Sequence, residues 1–400
     1  MGQVEYEVAS YTHKRQRAAA VNSHPLILAM TDVDLTSLSH TVVWLTFGLA
    51  FVFGAVLQRT HFCTMGALSD IVNIGDWNRM RMWWLAIGVA TIGTGLLAWQ
   101  GIIDPVKAIY TTSRVTWLSY VVGGWLFGFG MVLGSGCGSK TLVRIGGGNL
   151  KSLLVFVMIG ISAYMTLKGL FAVFRVNALD SVQMTLSTSQ DLPTLLKGAF
   201  GANVHLAQLV LGLVIGGAFV IAALGRREFW TFDNLLGGLV VGAIIVALWY
   251  VSGKVGYLAE NPNTLEESFL ATNSGRMEAL SFVSPLAYTL YWLMMWSDTS
   301  NVMTLGIASV AGVISGSFAY AVVSRTFRWE GFYDTEDTAN HMAGGVMMGF
   351  GGVTALGCTV GQGLSGVSTL ALGSFVALAA ILAGGVCGFK YQMWRIEMKV

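Results

Sequence analysis

The chain is short of charge. Only 11% of its 400 residues are Asp, Glu, Lys or Arg, less than half of the roughly 25% that a soluble domain carries. It has no charge of one sign to spend either: the formal net charge is +2 and no basic domain exists, so nothing points to a nucleic-acid partner. Acidic residues are almost missing from the apolar runs, which argues against a path for cations. The four cysteines, Cys63, Cys137, Cys358 and Cys387, form no C-x-x-C pair, so a dithiol redox motif is absent. A secretory signal, with its basic start, short apolar core and small-residue cleavage site, is not written into the N-terminal segment. That segment is polar to about Asp34, carries Lys14, Arg15 and Arg17, and reads as a solvated tail.

What the chain has is apolar length. Hydrophobic residues make up 54% of it and the mean hydropathy is +0.65. Thr41–Leu57, Trp83–Trp99, Trp117–Leu133, Leu153–Phe174, Leu206–Leu224, Leu235–Val251, Met303–Val323, Met342–Leu356 and Leu370–Phe389 are each about as long as a bilayer-spanning helix needs to be. The expected fold is therefore an all-α polytopic membrane protein with about nine transmembrane helices. Pro285–Trp296 is too short to span comfortably and is expected to be a half-membrane or interfacial helix. Asn177–Ala199 is a polar excursion expected to form an amphipathic surface helix, and Tyr257–Phe282 is a second polar stretch. Nine crossings put the termini on opposite sides. The orientation with a periplasmic N-terminus and a cytoplasmic C-terminus gathers the larger share of Lys and Arg on the cytoplasmic side, as the positive-inside rule prefers.

Two stretches repeat one another. "GGWLFGFGMVLGSGC", ending at Cys137, aligns without a gap on "GGVMMGFGGVTALGC", ending at Cys358. Gly123, Gly124, Gly128, Phe129, Gly130, Val132, Gly136 and Cys137 fall on Gly344, Gly345, Gly349, Phe350, Gly351, Val353, Gly357 and Cys358. In the nine-span count the first copy runs inward and the second outward, so the copies are expected to be inverted repeats with a site at their interface. The chain then divides into a polar tail (1–40), a first membrane repeat with a connecting span (41–224) and a second membrane repeat (225–400). A weaker echo pairs Gly54-Ala55, before Cys63, with Gly242-Ala243, but Val251 stands where the second cysteine would fall.

After each repeat copy comes a glycine-rich stretch, "GSKTLVRIGGGNL" or "TVGQGLSGVSTL", too polar for lipid. Backbone that leaves the helix at membrane depth is tolerated only where protein or water surrounds it. Cys63, Cys137 and Cys358 each sit at a span end beside glycine and polar residues, whereas Cys387, in "AGGVCGF", reads as a small buried hydrophobe. Three thiols suit a soft metal, but their polar neighbours Arg59, His61, Lys140 and Arg144 are basic or neutral. Those neighbours, with helix N-termini following the cysteines, suit an anion instead. Away from water a thiol keeps its proton, and a neutral S–H donates a weak hydrogen bond without repelling an anion. A soft, sulfur-bearing anion matches that donor best.

At these residues the sequence resembles the YeeE/YedE family of bacterial inner-membrane sulfur-compound transporters. "FGAVLQRTHFCTMGALSD", the two repeat copies and "TLGIASVAGVISGSFAYAVVSRTFRW" carry the resemblance, which covers nearly all of the chain after about His40. It implies thiosulfate uptake through an hourglass-like bundle of spanning and half-membrane helices, with three essential cysteines that fall on Cys63, Cys137 and Cys358. It also implies a separate cytoplasmic sulfur-carrier protein of the TusA-like kind as a partner, since no such domain is fused here. One departure stands out: the family commonly has Gly-Gly before its second and third cysteines, where this chain has Ser135-Gly136 and Leu356-Gly357.

The expected substrate-binding residues are Cys63, Cys137, Cys358, Gly136, Gly138, Gly357, Thr359 and Gln362, with no metal, cofactor or catalytic set. The expected function is uptake of thiosulfate or a related sulfur anion across the inner membrane. The alternatives are a permease for a selenium compound or a soft metal, and a membrane enzyme working through a cysteine persulfide. The enzyme would need an activated thiolate with a base nearby, and His61 is the one candidate base.

Overall fold

The computed structural model describes residues 35–200, 203–262, 264–332 and 334–398. The tail before Leu35 lies outside the described residues. Fourteen α-helices follow in chain order: α1 (35–60), α2 (Thr64–Ile74), α3 (Asn78–Trp99), α4 (Trp117–Leu133), α5 (Gly138–Gly146), α6 (Leu150–Lys168), α7 (Leu170–Phe174), α8 (Leu192–Phe200), α9 (Val204–Leu224), α10 (Phe232–Tyr250), α11 (Ser284–Met294), α12 (Leu305–Val323), α13 (Thr335–Thr354) and α14 (Leu372–Glu397). Two antiparallel pairs of two-residue strands are present: Arg114–Val115, in the turn before α4, joins Met184–Thr185 in the first polar excursion, and Tyr257–Leu258 joins Ser268–Phe269 within the second. The chain is an all-α polytopic membrane protein.

Among the described residues, eight helices are long and apolar enough to cross a bilayer. The ninth expected span is α13, which is 20 residues long but starts on a polar turn. Asp334 caps it by accepting the Asp337 N–H at 2.6 Å, and Glu336 and Asp337 follow in the first turn, where negative charge meets the positive end of the helix dipole. Those acids and the glycines behind them lower its hydropathy without shortening it. Caps of the same kind set the start of α6, where Asn149 accepts the Ser152 N–H at 2.9 Å, and of α10, where Thr231 accepts the Asn234 N–H at 3.3 Å.

Three sequence expectations change. The run Leu153–Phe174 is not one span: α6 ends at Lys168, Gly169 takes φ −108° and ψ −154°, and α7 starts afresh. Lys168 is thus the last residue of a helix rather than a charge inside one. The excursion 177–199 is not a single surface helix, because strand pairing at Met184–Thr185 takes up its middle. Only α8 at its end is regular, begun where the Asp191 carboxylate accepts both the Thr194 N–H (3.1 Å) and the Thr194 hydroxyl (2.7 Å). Cys387 is exposed on the outer face of α14 rather than buried. The short piece after Pro285 does become a short helix: α11 has 11 residues, about 16 Å of rise, half of a bilayer core.

Glycines fix how the two repeat copies meet. A Cβ on Gly123 would lie 2.7 Å from the Gly351 carbonyl oxygen, and one on Gly130 would lie 2.8 Å from that of Gly344. Numbers rise along α4 as they fall along α13, so the matching runs pack antiparallel. Each copy also lies parallel to a second helix, and in an equivalent way. A Cβ on Gly128 of α4 would sit 2.0 Å from the Ile381 oxygen of α14; one on its repeat mate, Gly349 of α13, would sit 2.6 Å from the Ile159 oxygen of α6. The pair α4–α14 and the pair α13–α6 are thus related by inversion. Between them the short helices α2, α5 and α11 and the helical segment after Cys358 enter the interior, where the main core includes Cys137, Cys358, Phe282 and Trp249.

Candidate functional site

Each of the three candidate cysteines is reached through the same local device. Two residues before it, the chain adopts the left-handed conformation: His61 at φ 52°, Ser135 at φ 56° and Leu356 at φ 58°. At the second and third sites this residue closes a helix C-terminus. The Ser135 N–H donates to the Val132 carbonyl (3.2 Å) and the Gly136 N–H to that of Met131 (2.9 Å). Likewise the Leu356 N–H donates to Val353 (3.1 Å) and the Gly357 N–H to Gly352 (2.8 Å). This is the Schellman pattern, in which glycine normally takes the left-handed place. The chain then turns inward, and the cysteine opens the next helical segment: Cys63 and Cys137 are the N-caps of α2 and α5. The Cys63 Sγ accepts the Gly66 N–H at 3.4 Å and the Cys358 Sγ accepts the Gly361 N–H at 3.4 Å. All three sulfurs therefore stand at the positive ends of helical segments turned into the bundle.

The departure from Gly-Gly before Cys137 and Cys358 now has a physical meaning, since a side chain in the left-handed region costs roughly 1–2 kcal/mol that glycine does not pay. Ser135→Gly is expected to raise stability by about 1 kcal/mol, and Ser135→Val, β-branched at the same φ, to lower it. Thermal unfolding midpoints of the purified variants in detergent check this; equal midpoints for both would show that the turn is not strained.

The three thiols are buried: Cys63 is 5% exposed, Cys137 and Cys358 1% each. Cys137 is the middle of the group. Its Sγ is 3.3 Å from the Ser139 hydroxyl and lies beside the Cys63 thiol on one side and the Thr359 hydroxyl on the other. Thr359 is fully buried and its Oγ1 makes no regular hydrogen bond among the described residues. Gln362 is also buried; its Nε2 donates to the Ala355 carbonyl at the end of α13, which leaves Oε1 without a partner among the described residues. Arg144 does the matching work in the other copy, donating to the Ser135 carbonyl at 2.8 Å. Gly136 and Gly357 leave room for the next turn: Cβ atoms there would meet Lys140 Cγ at 3.2 Å and Gln362 Cγ at 3.3 Å. Gly138 lets α5 start against Phe282, whose Cβ would be 3.2 Å away.

The two ends of this group differ. Beside Cys63 and Cys137 stands Lys140, with Arg144 and Arg79 nearby. Arg79 is paired with Asp70 at 3.1 Å, while Lys140 has no carboxylate partner among the described residues. Beside Cys358 the surroundings are neutral. The Phe282 N–H reaches its sulfur, and Tyr110 and Ser281 pack on Gly361, 3.2 Å and 2.7 Å from where a Cβ would be. Phe282, Tyr110 and Trp249, which donates to the Ser368 hydroxyl at 2.9 Å, do not stand out in the sequence. They come from excursions or unrepeated spans, and only the fold brings them to the cysteines. The echo at Val251 forms no fourth copy: Val251 opens a wide helical turn, Val251–Val255, at the end of α10.

Polar atoms without partners, half-helices ending inside a bundle of spanning helices and thiols facing inward are features of a membrane transport protein. The chain belongs to the family described as Sulphur transport, whose model matches residues 59–387, the YeeE/YedE family of the sequence resemblance. It is 28% identical over 338 residues to the thiosulfate transporter TsuA of Escherichia coli (strain K12), covering 83% of this chain and 90% of that protein. It is 25% identical over 348 residues to the thiosulfate transporter TsuA of Spirochaeta thermophila, covering 86% of this chain and 97% of that protein.

Proposed function

We propose that the protein carries thiosulfate, or a closely related sulfur-containing anion, into the cell along Cys358, Cys137 and Cys63, and that it does no covalent chemistry on its cargo. The observation that carries this reading is the threefold use of one device, a buried cysteine at the inward-facing N-terminus of a helical segment. Backbone N–H groups and the dipole favour an anion there, and a neutral thiol donates to the anion's terminal sulfur without repelling it. The names of the two relatives supply the cargo. The order of the cysteines follows from orientation. With the N-terminus periplasmic and the C-terminus cytoplasmic, α13 runs outward to Cys358 and α1 runs inward to Cys63, so the anion meets Cys358 first and leaves past Lys140. A bacterial inner-membrane location and a separate TusA-like sulfur carrier at the cytoplasmic mouth complete the reading.

The test is uptake of radiolabelled thiosulfate by a sulfate-transport-deficient bacterial host with and without this gene. Unlabelled thiosulfate is expected to compete fully and sulfate poorly, since the two dianions are alike in shape and differ in the soft atom that a thiol meets. Equal competition by sulfate would mean that charge and size set selectivity. Mass spectrometry during turnover addresses the covalent alternative: unmodified Cys63, Cys137 and Cys358 are expected, and a persulfide that comes and goes with transport would replace passage by relay.

A further inference from the structure

A cavity of about 190 Å³ lies against the end of α13 that leads to Cys358. That is room for a small oxyanion and a few waters. Its wall includes Leu356, two residues from Cys358, and Tyr110 and Ser281, which pack on the Gly361 whose N–H meets the Cys358 sulfur. Two charged side chains line it, Arg175 and Glu278. Arg175 comes from the wide turn after α7 and is held by Asp180 at 3.1 Å, which in turn accepts the Ser119 hydroxyl at 2.6 Å. Arginine is the expected lining for an anion. A carboxylate is not.

Glu278 has no basic partner within ion-pair distance among the described residues. One of its carboxylate oxygens accepts the Ser274 N–H at 2.9 Å, and its own N–H donates to the Ser252 hydroxyl at 2.9 Å in the wide turn after α10. The groups around it come from every neighbouring element. Tyr110 from the turn after α3 and Tyr288 of α11 share the cavity, with Arg175 the one cation lining it among the described residues. Lys107 lies in the turn whose carbonyl accepts the Met277 N–H, but its ammonium is taken by Glu267 and Tyr257. Arg276, in the same loop as Glu278, is exposed.

We propose that this cavity is the loading vestibule of the anion path, and that Glu278 is its proton-operated gate: the vestibule admits a sulfur dianion when Glu278 has taken a proton from the outer solution. The proposal rests on the transport reading above. Protonated, Glu278 is neutral and turns from acceptor to donor in the cavity that Arg175 also lines; ionised, it sets a negative charge next to a doubly negative cargo. Burial pushes the Glu278 carboxyl up from its ordinary range, against the pull of its hydrogen bonds to Ser274. It therefore holds its proton into less acid conditions than a free carboxyl would. Thiosulfate stays a dianion throughout, so a pH effect on loading has to come from the protein.

Two readouts separate this proposal from the transport reading. In proteoliposomes, wild-type thiosulfate uptake is expected to fall about tenfold as external pH is raised through and above the ordinary carboxyl range, and Glu278→Gln, neutral at every pH, to keep its acid-side rate throughout. An unchanged pH profile in Glu278→Gln would overturn the gate. The second readout needs no cargo. With Leu356→Cys as a reporter in the cavity wall, labelling by an anionic and by a cationic methanethiosulfonate of similar size is compared, so that the thiol's own reactivity cancels in the ratio. The anionic-to-cationic ratio is expected to fall with rising pH in the reporter alone, to be flat with Glu278→Gln added, and to drop at all pH with Arg175→Gln added. A ratio indifferent to both residues would overturn the vestibule even if thiosulfate is carried. Absence of thiosulfate uptake together with the expected ratios would sink the cargo and leave the vestibule standing.

Discussion

Replacing Cys137 by alanine is expected to cut thiosulfate uptake about 10- to 100-fold, because a hydrogen bond to a charged group contributes about 1.5–3 kcal/mol. The protein should still reach the membrane. Cys137 is the only one of the three thiols with a neighbour on both sides, Cys63 and Thr359, so its loss leaves a gap in the donors rather than a shortened end. The alanine methyl leaves the Ser139 and Thr359 hydroxyls in place, and the Gly138–Phe282 contact does not involve the side chain. Serine is expected to do little better than alanine, since its harder hydroxyl holds water and matches a sulfur poorly. Uptake by a well-expressed Cys137→Ala protein within twofold or so of wild type would remove the thiols from the mechanism. Cys387→Ala, on the exposed face of α14, serves as the silent control.

The largest effect on folding is expected at Gly128. A methyl there would meet the Ile381 carbonyl oxygen at 2.0 Å and the Gly385 nitrogen at 2.8 Å. Those atoms are backbone, so no rotamer change relieves the clash and α4 and α14 have to move apart. Overpacking of this kind typically costs about 1–3 kcal/mol, and Gly128→Ala lies at or above the upper end because no side chain can yield. The expected result is loss of the monodisperse protein peak after detergent extraction, or a clearly lower unfolding midpoint. Gly217→Ala in α9 is the control: a Cβ there meets nothing within 4 Å, and Gly to Ala in a helix gains about 0.5–1 kcal/mol. Should the two variants behave alike, close helix approach is not what the repeated glycines provide.

Spans and repeats were legible because they are written in local patterns. Apolar length marks the eight helices long and apolar enough to cross a bilayer among the described residues, and gap-free matches between Gly123–Cys137 and Gly344–Cys358 announce the antiparallel pair. Other features needed distance. Nothing around Gly169 says that a helix ends there, since glycine is common inside the other spans. Asn177–Ala199 looks helical until Met184 and Thr185 are seen to pair with Arg114 and Val115, some 70 residues earlier in the chain. Within the candidate site, Cys137, Cys358, Thr359 and Gln362 could be proposed from their place at or after the end of a repeat copy, and Cys63 from its polar neighbours at a span end. The left-handed turns at Ser135 and Leu356 could not, because serine and leucine give no sign of positive φ. Tyr110, Phe282 and Glu278 carry no motif, and Glu278 in particular reads as one more charge in a polar loop until the fold brings it into the same cavity as Arg175.

The inverted pairing of α4–α14 with α13–α6 makes the middle of this molecule nearly a palindrome, alike when read from either face of the membrane. A perfect palindrome would load equally well from both sides. Among the described residues the symmetry is broken at the ends: one end has a third thiol, where the echo has Val251, and Lys140 without a carboxylate partner, while at the other Arg175 and Glu278 line one cavity. Such unequal mouths cannot drive a net flow by themselves, since any path that lets an anion in also lets it out. In the proposed path, what they set is how strongly each end holds an anion. Direction, in the proposed path, then belongs to whatever empties the end beside Lys140.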